Sequence, residues 1–293
     1  MELNLAGAMP LTDGAFLMGE DADQLVLDAT ALTFACPLDL AGIVGLAHWA
    51  ASSAIPVTLM MPLDQGMASY LQRMDVLRHL PSRPKIVGRV PPDTRSDRSG
   101  SLLEVTALNR GNVDDLAERL GPLVMGFYGE DSEAGAAVLR ACGELVGNAT
   151  EHGHSERGAF MAAQLHRGAT TGGPRLEFAV CDTGMGVMEH LRLNPKYAHY
   201  TLDKHAIAKA TEAGVTGVPD DERGNGLYDV IKARQVGEVS LQIRSGRGEV
   251  RIQGSPTSQQ QTLHDRPDQT AGTWAWLTHR LSAGSNTVVQ SRK

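Results

Sequence analysis

Four short stretches hold residue types that do chemistry. Glu144, Asn148 and His152 recur at intervals of four, so one face of a helix would present a carboxylate, an amide and an imidazole. A carboxylate there can take a proton from water or a hydroxyl, and an amide oxygen is a natural partner for a hard divalent cation. His152 either reaches a neighbouring segment or sits as a cation at the C-terminal end of its helix. Asp182 ends an apolar run, Arg175 to Cys181, and precedes Gly184 and Gly186. A carboxylate at the end of a buried strand can accept a hydrogen bond from a ligand, and the two glycines let the backbone turn and approach it closely. Gly224, Asn225, Gly226 and Leu227 open a helix whose free N–H groups and dipole favour anionic oxygens. Thr273 begins a closing strand, Gly272 to Leu277. Each stretch has an ordinary alternative: a solvated helix glutamate, a turn-forming aspartate, a helix start, a β-branched strand residue.

These residues need elements to position them. Val138, Cys142, Leu145 and Ala149 form an apolar stripe beside the Glu144 row, so that helix should pack on a sheet and stop at Gly153. Asp131 is the expected N-cap. An earlier helix starts at Asn112 and buries Leu116, Leu120 and Val124. Strands are expected over 159–165 and 175–181, and another over 239–243, turning at 245–248 to pair with 250–252. The polar stretch 254–270 reads as a mobile loop, and 187–223 as a long insertion whose glycines, Gly214, Gly217 and Gly224, allow motion. Nearer the N-terminus, 25–30 and 57–61 read as strands. Helices follow at 38–53, with Leu40, Ile43, Val44, Ala47 and Ala51 inward, and at 66–80. Residues 81–100, rich in Pro, Arg, Ser and Asp, read as a connection, and 101–108 as a strand of either sheet. The expected organisation is an α/β unit over 1–100, a second domain over 101–283 and a polar tail over 284–293.

Composition narrows the function classes. The 293 residues are 42% hydrophobic and 21% charged, enough for real cores in two domains. Net charge is −7 and aromatics are 4%, which gives neither the basic footprint nor the stacking platforms of a nucleic-acid binder. Three unpaired cysteines, the lack of a leader pattern and the lack of a long apolar run fit a cytoplasmic chain away from membranes. None of the ten histidines has the helical setting of a phosphoacceptor.

A helix bearing Glu144 and Asn148, a strand ending in Asp182-Thr183-Gly184-Met185-Gly186, a Gly224-Asn225-Gly226 helix start after an insertion, and a strand beginning Gly272-Thr273 occur in that order. Together they resemble the GHKL (Bergerat-fold, histidine-kinase-like) ATPase superfamily over about residues 112–281. The style is closest to anti-sigma-factor-type serine kinases. The resemblance implies an α/β (α+β sandwich) fold, with a mixed sheet and helices on one face. It implies ATP and Mg²⁺ as ligands, with Asp182 and Thr273 at the adenine and Asn148, His152, Gly184, Gly186, Gly224, Asn225, Gly226 and Leu227 along the nucleotide. Asn148 would hold the metal, Glu144 would be the catalytic base, and 187–223 would be the ATP lid, with Thr216 and Arg223 in reach of the terminal phosphates. Residues 112–281 should then fold alone. Leu25-Val26-Leu27-Asp28, a turn, a helix and Val57-Thr58-Leu59 resemble a STAS domain, although Cys36-Pro37-Leu38-Asp39 offers no hydroxyl where that family is phosphorylated. The implied function is bacterial signalling: an ATPase or serine/threonine protein kinase acting on a regulatory protein partner, with room for a homodimer. The alternative is a non-catalytic ATP-dependent switch or scaffold.

Overall fold

The computed structural model describes residues 2–4, 23–94, 98, 100–109, 111–151, 158–167, 174–218 and 226–281. Strands β1 (Glu2–Asn4), β2 (Leu25–Asp28), β3 (Val57–Met60) and β4 (Lys85–Val87) form a parallel sheet in that order. β4 lies within the stretch expected to be a plain connection. Helix α1 (Pro37–Ser52) joins β2 to β3, and α2 (Gln65–Arg73) follows β3. α2 stops earlier than its apolar spacing suggests, because Asp75 adopts a left-handed φ of 58°. A 3-10 turn at Leu77–His79 follows.

α1 explains how the chain holds together. Pro37 sits in its first turn, and the Asp39 carboxylate reaches back to accept the Cys36 N–H at 2.9 Å. Every residue from Pro37 to Ala47 is buried, as expected of a helix that is apolar all round. Ala51, expected inward, is exposed, and Ala50 is buried instead.

The second sheet contains β5 (Leu102–Leu108), β6 (Ala159–His166), β7 (Arg175–Asp182), β8 (Gly237–Ser255) and β9 (Ser258–Leu281), ordered β5-β6-β7-β9-β8. All its pairings are antiparallel, so the expected mixed sheet is corrected. Two of the four follow from the connections, since β6–β7 and β8–β9 are hairpins joined by short segments. Helices α3 (Val113–Tyr128), α4 (Glu133–Glu151) and α7 (Gly226–Lys232) bury one face with Leu176, Phe178, Leu241 and Leu277. Helices α3, α4 and α7 of this unit lie on that one face, and a helix of the N-terminal unit covers the other. Phe160, Ala162, Ala179, Cys181 and Trp274 make the opposite face equally apolar, and α1 covers it, sharing one core with Leu25, Leu27 and Leu59.

Local chemistry revises two helix starts. Ser132, not Asp131, caps α4, its Oγ accepting the Gly135 N–H at 3.3 Å. Asn112 precedes α3, yet its side chain ties back to β5, accepting from Asn109 N–H and donating to Ala107 O. The expected loop 254–270 is instead strand. Residues 248–255 pair with 258–265 as an arm beyond the sheet, and 250–252 continue β8 rather than turning back onto it. Pro267, which has no N–H to donate, falls in the register break between Asp265 and Thr270.

Candidate functional site

β7 ends at Asp182, which is only 4% exposed. The Gly184 N–H donates to its Oδ1 at 2.9 Å, and the Thr273 N–H also donates to the carboxylate. These donors favour the charged form, but burial outweighs them and raises the pKa from 3.8 to about 7. β9 crosses this turn at Gly272. Its φ is +67°, and a Cβ there would stand 2.3 Å from Asp182 O and 2.5 Å from Oδ1, so only glycine fits. Ser245 Oγ donates to Gly272 O and accepts the Val187 N–H, both at 2.8 Å, which locks the Gly186 turn to the same place. Gly272 stands in the sequence reading only as the start of the closing strand, and Ser245, read there as part of a turn over 245–248, carries no signal of this contact.

α4 brings Glu144 and Asn148 to the opposite end of the same site. The stripe of Val138, Cys142, Leu145 and Ala149 is buried as expected, and this orients the polar row. Among the described residues the side chains of Glu144 and Asn148 have no hydrogen-bond partner, and both are half-buried. Burial, then Asp229 and Glu151, raise the Glu144 pKa above the usual carboxylate value. α7 starts directly against them. A Cβ on Gly226 would lie 3.0 Å from Glu144 Oε2 and 3.3 Å from Asn148 Nδ2.

Between these ends lies a cavity of about 390 Å³. Glu144, Asn148, Asp182, Gly186, Gly226, Leu227 and Thr273 all line it, and Gly184 borders it through Asp182. Its apolar walls are Leu145, Val180, Ile243 and Ala275, from α4, β7, β8 and β9. His152, Arg223, Gly224 and Asn225, and the expected helix end at Gly153, lie outside the described residues. Among the described residues no lysine or arginine lines the cavity.

The insertion carries helical pieces, as its sequence suggests over 188–193 and 202–213. α5 (Val187–Arg192), a 3-10 turn at Pro195–Tyr197 and α6 (Asp203–Ala210) build a small core from Leu191, Tyr197, Ala206 and Val215. His190, Val215, Thr216 and Gly217 also line the cavity. Gly217 serves close packing: a Cβ there would lie 2.1 Å from His190 O. Asn194 Nδ2 donates to Thr216 O at 3.2 Å and holds this strap in place. Among the described residues, no helix is long and apolar enough to cross a membrane.

The donor set suits a nucleotide better than a metal held by protein alone. One end offers a buried acceptor, the middle is apolar, and the other end offers an amide and a carboxylate beside a glycine start. Among the described residues no group of three His, Cys, Asp or Glu side chains gathers around a cation position. A magnesium ion could still draw its remaining oxygens from phosphates and water. No protein-family profile matches this chain, and no curated protein is detectably similar to it in sequence.

Proposed function

We propose that this chain is an ATP-binding regulatory protein of the GHKL type, with magnesium-dependent ATPase or serine/threonine protein kinase activity toward a protein partner. The observation that carries the proposal is Asp182, a fully buried carboxylate at the head of an apolar cavity. A buried charge without a full set of partners is costly, and a site that keeps one does so for a ligand that donates to it. The adenine amine is such a donor. The cavity falls within the usual range for a small-molecule site.

On this reading Asp182 accepts from the amine, Thr273 and Gly184 hold that carboxylate, and the Gly186 and Gly226 turns bring backbone close to the nucleotide. Asn148 would hold Mg²⁺ together with the phosphates, and the ion would neutralise charge on the transferred group. Glu144 stands one helical turn from Asn148 and would take the proton from the attacking water or hydroxyl. Its raised pKa keeps it a better base than an exposed carboxylate.

A second reading, a nucleotide-dependent switch without turnover, is favoured by one observation. The cavity wall has no described cation to offset charge on the phosphates. Calorimetry with MgATP and steady-state phosphate release, run on one preparation with and without partner candidates, test both. No binding removes both readings, binding with release supports the enzyme, and binding alone supports the switch.

A further inference from the structure

We infer that the N-terminal module is coupled to the nucleotide site from behind: the middle of α1 packs on the residues flanking Asp182, so ATP occupancy and the position of α1 in the shared core bias each other. The inference rests on the ATP reading of the site.

Side chains alternate along a strand, so Asp182 faces the cavity while Cys181 and Thr183 face the other way. α1 lies against that other face. A Cβ on Gly45 would stand 3.7 Å from Cys181 Cβ and 3.8 Å from Thr183 Cγ2. Thr183 Oγ1 also donates to Gly158 O at 3.3 Å, and Trp274 pairs with Cys181 across β7 and β9 and belongs to the α1 core. The two N–H donors to Asp182 come from Gly184 and Thr273. Each therefore sits one residue away from a side chain on the α1 side, Thr183 for the first and Trp274 for the second. A small shift of α1 would move both donors and the carboxylate they orient.

The coupling works by displacement rather than release. Leu38, Leu40, Ile43, Val44 and Ala47 of α1 are all at most 1% exposed and are shared between the two sheets. Undocking the helix would expose this apolar surface, whereas a shift within a packed core is the kind of change such cores transmit. Coupling between two sites is reciprocal, so ATP must act on α1 as strongly as α1 acts on ATP.

Gly45 supplies a graded test, because an alanine Cβ at 3.7–3.8 Å makes ordinary contact while a longer side chain must push β7 aside. MgATP affinity is measured by calorimetry on the full chain for wild type, Gly45→Ala and Gly45→Leu, with circular dichroism and thermal melts as fold controls. Hydrogen exchange over residues 37–52 of the wild type is followed with and without saturating MgATP. The expected result is that Gly45→Ala binds like wild type, Gly45→Leu binds roughly tenfold more weakly while still folded, and ATP slows exchange in α1. A folded Gly45→Leu with wild-type affinity would overturn the coupling. So would α1 exchange that is indifferent to bound ATP, a measurement that decides the matter alone if Gly45→Leu does not fold. A wild-type chain that binds no ATP fails at the site itself, which is a separate result and removes the inference with it.

Discussion

Replacing Asp182 by asparagine should make the protein more stable and its nucleotide site worse. The carboxylate is buried, and its pKa rises from 3.8 to about 7 on folding. That is about three pH units at roughly 1.4 kcal/mol each, so ionised Asp182 costs the folded state about 4 kcal/mol. The sign is fixed by linkage. Between pH 3.8 and 7 the folded chain binds more protons than the unfolded one, so the cost is absent below pH 3.8, grows through this window and is constant above it. Asparagine keeps an oxygen for the Gly184 and Thr273 N–H groups but carries no charge to bury. Allowing for weaker neutral hydrogen bonds, the variant should gain about 2–4 kcal/mol at pH 8, or roughly 5–10 °C in melting temperature. The gain should fall to about 1 kcal/mol or less near pH 4.

His279 sharpens this test because its effect has the opposite sign. It is fully buried, with Nδ1 2.9 Å from Tyr128 Oη, and burial lowers its pKa from 6.5 to about 4. Stability tied to His279 is lost as pH falls from 6.5 to 4, by up to about 3 kcal/mol. In the wild type the two slopes overlap and largely cancel. In Asp182→Asn the His279 slope is no longer offset by Asp182, so the melting temperature should rise more steeply with pH from 4 to 6.5 than in the wild type. ATP binding should move the other way. An amide NH₂ facing an amine loses the hydrogen bond and sets donor against donor, which costs about 1–3 kcal/mol, or five- to 150-fold in affinity. Wild-type affinity should itself weaken below pH 7 as Asp182 takes up a proton. The assay is a thermal melt across pH with calorimetric titration of MgATP. A variant no more stable than wild type at pH 8 would refute the buried-charge argument. Equal affinities would refute the adenine assignment.

Three further outcomes follow from the same geometry. Glu144→Gln should bind MgATP within a few-fold of wild type and slow turnover by about 10²–10⁴, as a lost general base does; unchanged phosphate release would remove Glu144 from the chemistry. Gly272→Ala must strain a positive φ and place a Cβ against Asp182, so it should destabilise by about 2 kcal/mol or more and abolish ATP binding; a wild-type melt would show that β9 can move away. Residues 112–281 alone should aggregate or melt without cooperativity, because the fragment lacks β5 and uncovers Phe160, Ala162, Ala179, Cys181 and Trp274; a soluble fragment with a full-length melting temperature would refute the shared core.

The residues that meet at the candidate cavity were more readable from sequence than the fold around them. Glu144, Asn148, Asp182 and Thr273 stand out because each is a polar residue at a fixed offset from an apolar pattern, and the pattern survives folding. α1 was read as one-sided because any apolar helix contains some face at helical spacing, whereas Pro37 to Ala47 are buried all round. That residue run was the available signal for a second packing partner. The β8–β9 arm was missed for the opposite reason. Gln259, Gln260 and Gln261 look like loop, and main-chain pairing with β8 holds them in a strand that propensity does not favour. Gly217 misled in a third way, since glycine serves close approach as readily as motion.

The two ends of the cavity are built differently, and this bears on enzyme against switch. The Asp182 end is rigid: β7, β9, Gly272 and Ser245 fix it through hydrogen bonds and contacts that admit no side chain. The Glu144 end has half-buried groups, acidic neighbours in Asp229 and Glu151, and no described cation on the wall. On the proposed reading the described residues would recognise the nucleotide, while none of the described residues lining the cavity brings a cation to the phosphates. Each cation brought to that end, by Mg²⁺ or by a basic partner segment, lowers the Glu144 pKa and stabilises charge on the phosphates together. On the proposed reading such a site would hold ATP and turn it over when a partner supplies positive charge, so basal phosphate release should be slow and should rise with a basic partner while nucleotide affinity changes little.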